Sequence, residues 1–300
     1  MDLADLQIFK AVVDEGGIVH AARKLHRVQS NITTRIKQLE ASLGTALFYR
    51  SKQRLHLSPS GELLLGYAER LLRLSDEARD AVGGSAPRGV LRLGALESTT
   101  ASRLPGVLAR YHAACPEVRV ELVTGTNDAL TAKVASRQLD AAFVAETPAA
   151  PELAHQPLFS ERLVLISAMQ HRAVRTPADL VGATLIAFPN GCAYRRVLQR
   201  WLGPVHTPGA RVMELASYHA IVACVASGTG VALVPQSVLD TVQGAPVRQH
   251  RLPREVSQVV TPLIWRSGEQ SAALMALREQ LSAPPPTSSR RKPGPTRAAG

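Results

Sequence analysis

Residues 21–44 read AARKLHRVQSNITTRIKQLEASLG, and the spacing within them decides the first part of the fold. Ile32, Ile36, Leu39 and Leu43 recur every three or four positions, which places them on one side of a helix. At roughly 100° per residue, Ser30, Thr34 and Lys37 fall on the opposite side. Gln29, Asn31, Thr33, Arg35 and Gln38 flank them. These side chains are short or forked donors and acceptors, suited to base edges and phosphates in a major groove. Gly44 supplies the stop. Upstream, Ile18, Ala21, Ala22 and Leu25 form the inner face of a shorter helix, and His26-Arg27-Val28 is a turn. Before that, Leu3, Leu6, Phe9 and Val13 make the stripe of a first helix, ended by Gly16-Gly17.

Two helices joined by a tight turn, the second presenting its N-terminal residues, is helix-turn-helix geometry. Backbone N–H groups at that helix start also favour a phosphate. Downstream, Phe48-Tyr49-Arg50 and Arg54-Leu55-His56-Leu57 flank Ser51-Lys52-Gln53, a two-stranded wing whose cations reach the backbone or the minor groove. An isolated amphipathic helix is usually solvated surface; the three-helix order with a basic wing turns the reading towards double-stranded DNA. The expected contacts are Arg27, Gln29, Ser30, Asn31, Thr33, Thr34, Arg35, Lys37, Arg50, Lys52 and Arg54.

At this point the chain resembles the LysR-type transcriptional regulators. The matching residues are Ala21-Ala22-Arg23-Lys24-Leu25-His26, Gln29-Ser30-Asn31-Ile32-Thr33 and Ile36-Lys37-Gln38-Leu39-Glu40. They continue through Leu43-Gly44, Leu47-Phe48-Tyr49-Arg50 and Leu57-Ser58-Pro59-Ser60-Gly61. The resemblance reaches to about Pro284 and implies an α/β protein: a winged helix-turn-helix, a long linker helix and a two-lobed effector domain like periplasmic binding proteins. It also implies dimers that often pair into tetramers, and RNA polymerase as a further partner. Two positions depart from the pattern. Val28 stands where a capping Ser or Thr is usual, and Gly17-Ile18 where Ser-Phe is common. A lost cap costs about 1 kcal/mol.

Composition bounds the rest. A chain of 300 residues suggests about two domains. The net charge of +11 is uneven: residues 1–58 hold nine Lys/Arg against five Asp/Glu, and residues 284–300 hold four Lys/Arg and no acid. A basic terminal module suits a polyanion. With no charged-then-apolar leader and no apolar run long enough for a bilayer, a cytoplasmic protein is expected, with no membrane partner. The three cysteines, Cys115, Cys192 and Cys224, make no zinc pattern, so no metal or other cofactor is expected.

Ser58 caps a long helix that has Pro59 at its first position and runs to about Val82. Leu64, Ala68, Leu71, Ser75, Ala78 and Val82 alternate spacings of four and three, a heptad seam expected to pack on the same helix of a second subunit. Packing on its own chain is the alternative. The expected division is a DNA-binding domain over 1–58, a linker and hinge over 59–87, an effector domain over 88–283 and a disordered basic tail over 284–300. Within the effector domain, lobe 1 takes about 88–162 and 265–283, and lobe 2 about 163–264. Strands at Val90–Leu96, Val118–Val123, Ala141–Ala145, Leu163–Ser167, Leu185–Phe188, Arg211–Glu214, Val231–Pro235 and Val259–Trp265 alternate with helices. That alternation argues for parallel βαβ units.

In such sheets ligands bind beyond the carboxyl ends of strands. Those ends carry Ser98-Thr99-Thr100, Thr124-Gly125-Thr126, Gly191-Cys192-Ala193-Tyr194-Arg195 and Ser217-Tyr218-His219. Converging hydroxyls and helix starts favour an anionic small molecule, a carboxylate first, which Arg195 would grip in bidentate fashion. The expected effector residues are Ser98, Thr99, Thr100, Thr124, Gly125, Thr126, Gly191, Cys192, Tyr194, Arg195, Ser217, Tyr218 and His219. For any single hydroxyl, helix capping is the plainer role. Cys192 beside Arg195 also admits a thiol sensor, or an enzyme with His219 as base. Against an enzyme, the chain has no GxSxG, P-loop, HExxH or GxGxxG after a strand. A pure solute-binding protein would not need the first 58 residues.

Overall fold

The computed structural model describes residues 1–51, 54–83, 86–203, 211–242, 244–269 and 271–282. It falls into two units, Met1–Ser85 and Ala86–Gly300.

The first unit begins with α1 (Leu3–Asp14), started by a capping box in which the Asp2 and Asp5 side chains bond each other's backbone N–H. It buries Leu6, Ile8, Phe9 and Val12. α2 (Ile18–Lys24) and α3 (Gln29–Leu43) follow, and His26 makes the turn between them at a left-handed φ of 51°. The inner face of α3 is Ile32, Ile36 and Leu39, and Gly44 ends it in the left-handed conformation. Val28 starts α3 with no side-chain cap, as its apolar side chain dictates.

β1 (Phe48–Ser51) and β2 (Arg54–Leu57) pair antiparallel, from Phe48 opposite Leu57 to Ser51 opposite Arg54. Glu40 ties this hairpin to α3 by accepting from the N–H groups of Leu47 at 2.8 Å and Phe48 at 3.3 Å. α4 (Pro59–Gly83) starts where Ser58 Oγ accepts from Gly61 N–H and donates to the Ala46 carbonyl. A Cβ on Gly61 would lie 2.2 Å from the Leu47 carbonyl oxygen, so this helix start fits only glycine.

The seam on α4 is corrected here. Ala68 is fully buried in the core formed with α1, and Leu64 packs against the same core. These two serve their own chain. The apolar side chains that α4 leaves exposed are Leu63, Tyr67, Leu71 and Leu74. Ala78 is exposed, and the Val82 side chain lies outside the described residues.

The second unit opens with β3 (Gly89–Ala95), α5 (Glu97–Ser102), α6 (Leu104–Ala114), β4 (Val118–Thr124), α7 (Asn127–Ala135) and β5 (Ala141–Phe143). α5 and α6 are separated at Arg103, just before Pro105 in the first turn of α6. β6 (Leu153–Ala168) is one long strand. After it come β7 (Leu185–Ala187), α8 (Ala193–Leu202), β8 (Val212–Glu214), α9 (Tyr218–Ala226), β9 (Ala232–Pro235) and α10 (Gln236–Leu239). The unit closes with β10 (Val247–His250), α11 (Arg254–Ser257), β11 (Gln258–Arg266) and α12 (Ala272–Ser282).

The main sheet runs β10-β6-β11-β5-β3-β4, with β9 also on β6, and β7 and β8 form a second parallel pair. The expectation of parallel βαβ units holds for β3–β4, β3–β5 and β7–β8. It fails for β6, whose pairs with β9, β10 and β11 are all antiparallel. The first half of β6 pairs with β11 and the second with β9 and β10, so β6 and β11 link two cores. One core is Leu91, Leu93, Phe143, Leu263 and Leu274 with their neighbours; the other includes Leu165, Ile186, Leu198, Ile221 and Val234.

Candidate DNA-reading helix and effector cleft

Burial of Ile32, Ile36 and Leu39 turns the other side of α3 to solvent. Gln29, Ser30, Asn31, Thr34, Lys37 and Gln38 are all exposed, as is Arg27 in the preceding turn. Arg27 reaches Asn31 Oδ1 at 3.4 Å, and Thr33 Oγ1 donates back to the Gln29 carbonyl. Thr33 is thus half-buried and turned to its own helix. Arg35 is the main departure among the expected DNA contacts: its guanidinium pairs with Asp5 at 3.2 Å, and Asp5 is buried on α1. An Arg that neutralises a buried carboxylate is committed to holding α1 on α3. The side chains of Arg50 and Arg54, and Lys52 altogether, lie outside the described residues. In the hairpin, Tyr49 stacks on His56 at 5.5 Å.

In the second unit, four strand ends meet around a narrow cleft of about 20 Å³. Of the expected residues, Ser98, Gly125, Thr126, Cys192, Tyr194 and Tyr218 line it. Gly191 stands at its edge, where a Cβ would come within 2.9 Å of Thr126 Oγ1; its φ of 89° and the narrow gap both call for glycine. The Gly191 carbonyl accepts from Asp128 N–H across the two halves.

The remaining expected residues do other work. Thr126, besides lining the cleft, caps α7 through Ala129 N–H. Thr100 Oγ1 donates to the Leu96 carbonyl, Thr99 is buried off the cleft, and Thr124 and His219 are exposed outside it. Ser217 stands at the start of α9 without making a side-chain cap. Arg195 is corrected: Nη1 donates to Glu214 Oε1 at 2.6 Å and to the Phe188 carbonyl at 3.1 Å. It lines a neighbouring hollow rather than the cleft, and its Nε is buried without a partner.

Four lining residues were missing from the expected set: Leu96 and Glu97 just after β3, Phe188 after β7, and Ala193 at the start of α8; for the first three, position at a strand end was the available signal. Glu97 faces the Tyr218 N–H at the start of α9 and supplies the negative charge that Ser217 does not. Burial nevertheless pushes its carboxyl above the ordinary range, against the opposing pull of that N–H and of His219. Arg196, also missed, clasps the two halves: it meets Asp128 at 2.9 Å and Glu146 at 2.6 Å. Burial pushes the Cys192 thiol up as well, which keeps it protonated and removes the basis for a reactive thiolate. Burial likewise raises Tyr194 and Tyr218, so both phenols are neutral. Among the described residues no group of His, Cys, Asp or Glu is placed to hold a metal ion, and no helix is long and apolar enough to cross a membrane.

Residues 3–62 match the family described as "Bacterial regulatory helix-turn-helix protein, lysR family", and residues 84–283 match "LysR substrate binding domain". Among similar proteins, the HTH-type transcriptional regulator YusT of Bacillus subtilis is 39% identical over 268 residues, covering 89% of this chain and 90% of that protein. The regulator GltR of the same organism is 35% identical with the same coverage. A full-length OxyR from Pseudomonas aeruginosa shares the fold with a TM-score of 0.72 at 22% identity, over 94% of each chain. CbnR solved with its target DNA does so with a TM-score of 0.64 at 23% identity, over 94% of this chain and 99% of that one. These relatives are regulators, not enzymes. The chain belongs to the LysR family of DNA-binding transcription regulators and carries both its helix-turn-helix and its effector-binding domain.

Proposed function

We propose that α3 lies in the major groove of an operator and reads it through Gln29, Ser30, Asn31, Thr34 and Lys37. One observation carries this: the donors and acceptors on that face are exposed, while the opposite face is packed. Lys37 and Arg27 add phosphate attraction. Arg50, Lys52 and Arg54 add to that attraction.

A second copy supplies the second half-site, and the two copies join along α4 through Leu63, Tyr67, Leu71 and Leu74. An exposed row of this kind needs a partner. Two such dimers pairing into a tetramer is the extension the family suggests. The chain then works in the cytoplasm, where it alters the access of RNA polymerase to a promoter. CbnR, solved on its target DNA, is the likeness that supports the groove reading.

A small-molecule effector sits in the cleft between the halves joined by β6 and β11, and shifts their arrangement. Coupling of about 1–3 kcal/mol is enough to alter DNA occupancy. A carboxylate effector is favoured by the converging hydroxyls and helix starts; the pairing of Arg195 Nη1 with Glu214 speaks against Arg195 as its partner.

The test is a mobility-shift titration on the chain's own promoter. Thr34→Ala and Lys37→Ala are each expected to weaken binding by about 1–3 kcal/mol with the fold intact. Unchanged affinity in both variants overturns the assignment of α3.

A further inference from the structure

The cleft has an unusual lining for a regulator expected to take an anion. Its charged lining group is a carboxylate, Glu97, whose Oε2 is buried without a hydrogen bond. The chain has five Phe, five Tyr and two Trp, and three of those twelve aromatics, Phe188, Tyr194 and Tyr218, line this one cavity. Phe188 and Tyr218 lie 4.7 Å apart, tilted by 47°. The nearby guanidiniums each have a carboxylate partner: Arg103 has Glu161, Arg195 has Glu214, Arg196 has Asp128 and Glu146, and Arg200 has Glu146, with Arg195 Nε left buried without a hydrogen bond. Of the other titratable neighbours, His219 pulls against the effect of burial on Glu97, and the two phenols and the thiol of Cys192 are neutral because burial holds their protons on.

A desolvated carboxylate beside aromatic faces repels an anion and attracts a cation, which gains from both the charge and the ring quadrupoles. We propose that the effector of this cleft is a small organic ammonium compound, its cationic head set between the Glu97 carboxylate and the rings of Phe188 and Tyr218. This deepens the cleft reading above and rests on it. At about 20 Å³ the cleft admits little beyond a small head group, so binding parts the two halves, in keeping with the shift in arrangement set out above. The buried hydroxyls of Ser98 and Tyr194 make no hydrogen bond of ordinary geometry and offer a second polar anchor for the remainder of the ligand.

The experiment titrates the full chain calorimetrically with four probes at matched ionic strength: n-butylammonium chloride, tetramethylammonium chloride, sodium butyrate and 1-butanol. Expected is binding of both ammonium salts at millimolar concentration, tighter than butyrate and butanol, with an altered promoter shift. Glu97→Gln, which keeps shape and hydrogen bonding, is expected to weaken butylammonium by about tenfold or more and leave butanol unchanged. Failure of both ammonium salts to bind overturns the proposal, and so does tighter binding of butyrate or undiminished ammonium binding by Glu97→Gln. A cleft-filling Thr126→Phe variant separates the two readings. If butyrate wins and its binding is lost in Thr126→Phe, the cleft stands and the cation falls. If the binding of whichever probe survives in Thr126→Phe, the cleft itself is not the site, and both fall.

Discussion

On the outer face of α3, Ser30, Asn31, Thr34 and Lys37 stand in solvent, whereas at the cleft Ser98, Tyr194 and Tyr218 are buried and Thr126 is bonded to its own chain. Both regions use the same short polar side chains at helix starts. They differ in what surrounds them. A surface meant for a polyanion keeps its donors exposed, so helical period alone reveals them. A cavity assembled from four strand ends spends many of its polar groups on capping and inter-lobe bonds, and what remains is decided by contacts between distant segments. The sign of the charge at the cleft is the clearest case. Arg195 and Arg196 are adjacent in sequence and both near the cleft, yet Glu214, Asp128 and Glu146 engage both of them.

The contrast can be broken from the side of the first unit. The largest effect is expected at Gly61, where a Cβ meets a backbone oxygen that cannot yield. Gly61→Ala should destabilise the DNA-binding unit by about 3 kcal/mol, read as an early thermal transition while the effector unit melts unchanged. A single undisturbed transition would mean that α4 starts differently. Next comes Arg35. If it holds Asp5, Arg35→Ala loses roughly 2 kcal/mol of stability but little operator affinity per folded molecule. Lys37→Ala should do the reverse, lowering the salt dependence of binding by about one ion. Equal losses of affinity in the two variants, with stability intact, would return Arg35 to the DNA face.

The second unit differs from the first in its response to acid. His250 is buried, its Nδ1 accepting from Val174 N–H and its Nε2 bonded to Ser167 Oγ, whereas His20, His26 and His56 of the first unit are exposed. Burial, with His171 and Arg248 nearby, lowers the His250 pKa below its ordinary 6.5. The unfolded chain therefore takes up the proton first. The stability this network contributes is complete above about pH 6.5 and is lost as pH falls through the lower folded value. Chemical denaturation from pH 7.5 to about 5.5 should show the effector unit weakening. In His250→Gln that slope should shrink, and an unchanged slope would place the acid sensitivity elsewhere.

How much was legible follows the same division. The three-helix order, the stop at Gly44 and the Ser58-Pro59 start of α4 all follow from local pattern and stand in the structure. Leu64 and Ala68 of the expected seam on α4 turn to their own core while Leu71 and Ala78 stay exposed, because Leu63-Leu64-Leu65 and Leu71-Leu72 offer two apolar stripes and period cannot say which one α1 covers. The Arg35–Asp5 pair is invisible in the sequence because nothing local marks Asp5, thirty positions earlier, as a partner. β6 was read only from Leu163 because its first half alternates polar residues, as half-exposed antiparallel pairing requires. At the cleft, the segments were found and the charges were not. Glu97 lies one residue before the Ser98-Thr99-Thr100 run on which the reading fixed.

Val28 gives the smallest expected effect and the finest probe of the contrast. It is 70% exposed and stands at the start of α3 without a side-chain cap. Its backbone carbonyl takes the Asn31 N–H at 3.0 Å, but no side chain accepts from the first turn. Val28→Ser should add such an acceptor and stabilise the unit by about 1 kcal/mol, a rise of a few degrees in melting temperature. If the uncapped turn is kept open for a DNA phosphate, the serine oxygen competes with it, and operator affinity should fall slightly as stability rises. A variant that gains stability with no loss of affinity would show that no phosphate sits at this helix start. Groove recognition would then rest on the side chains of Ser30, Asn31, Thr34 and Lys37 alone.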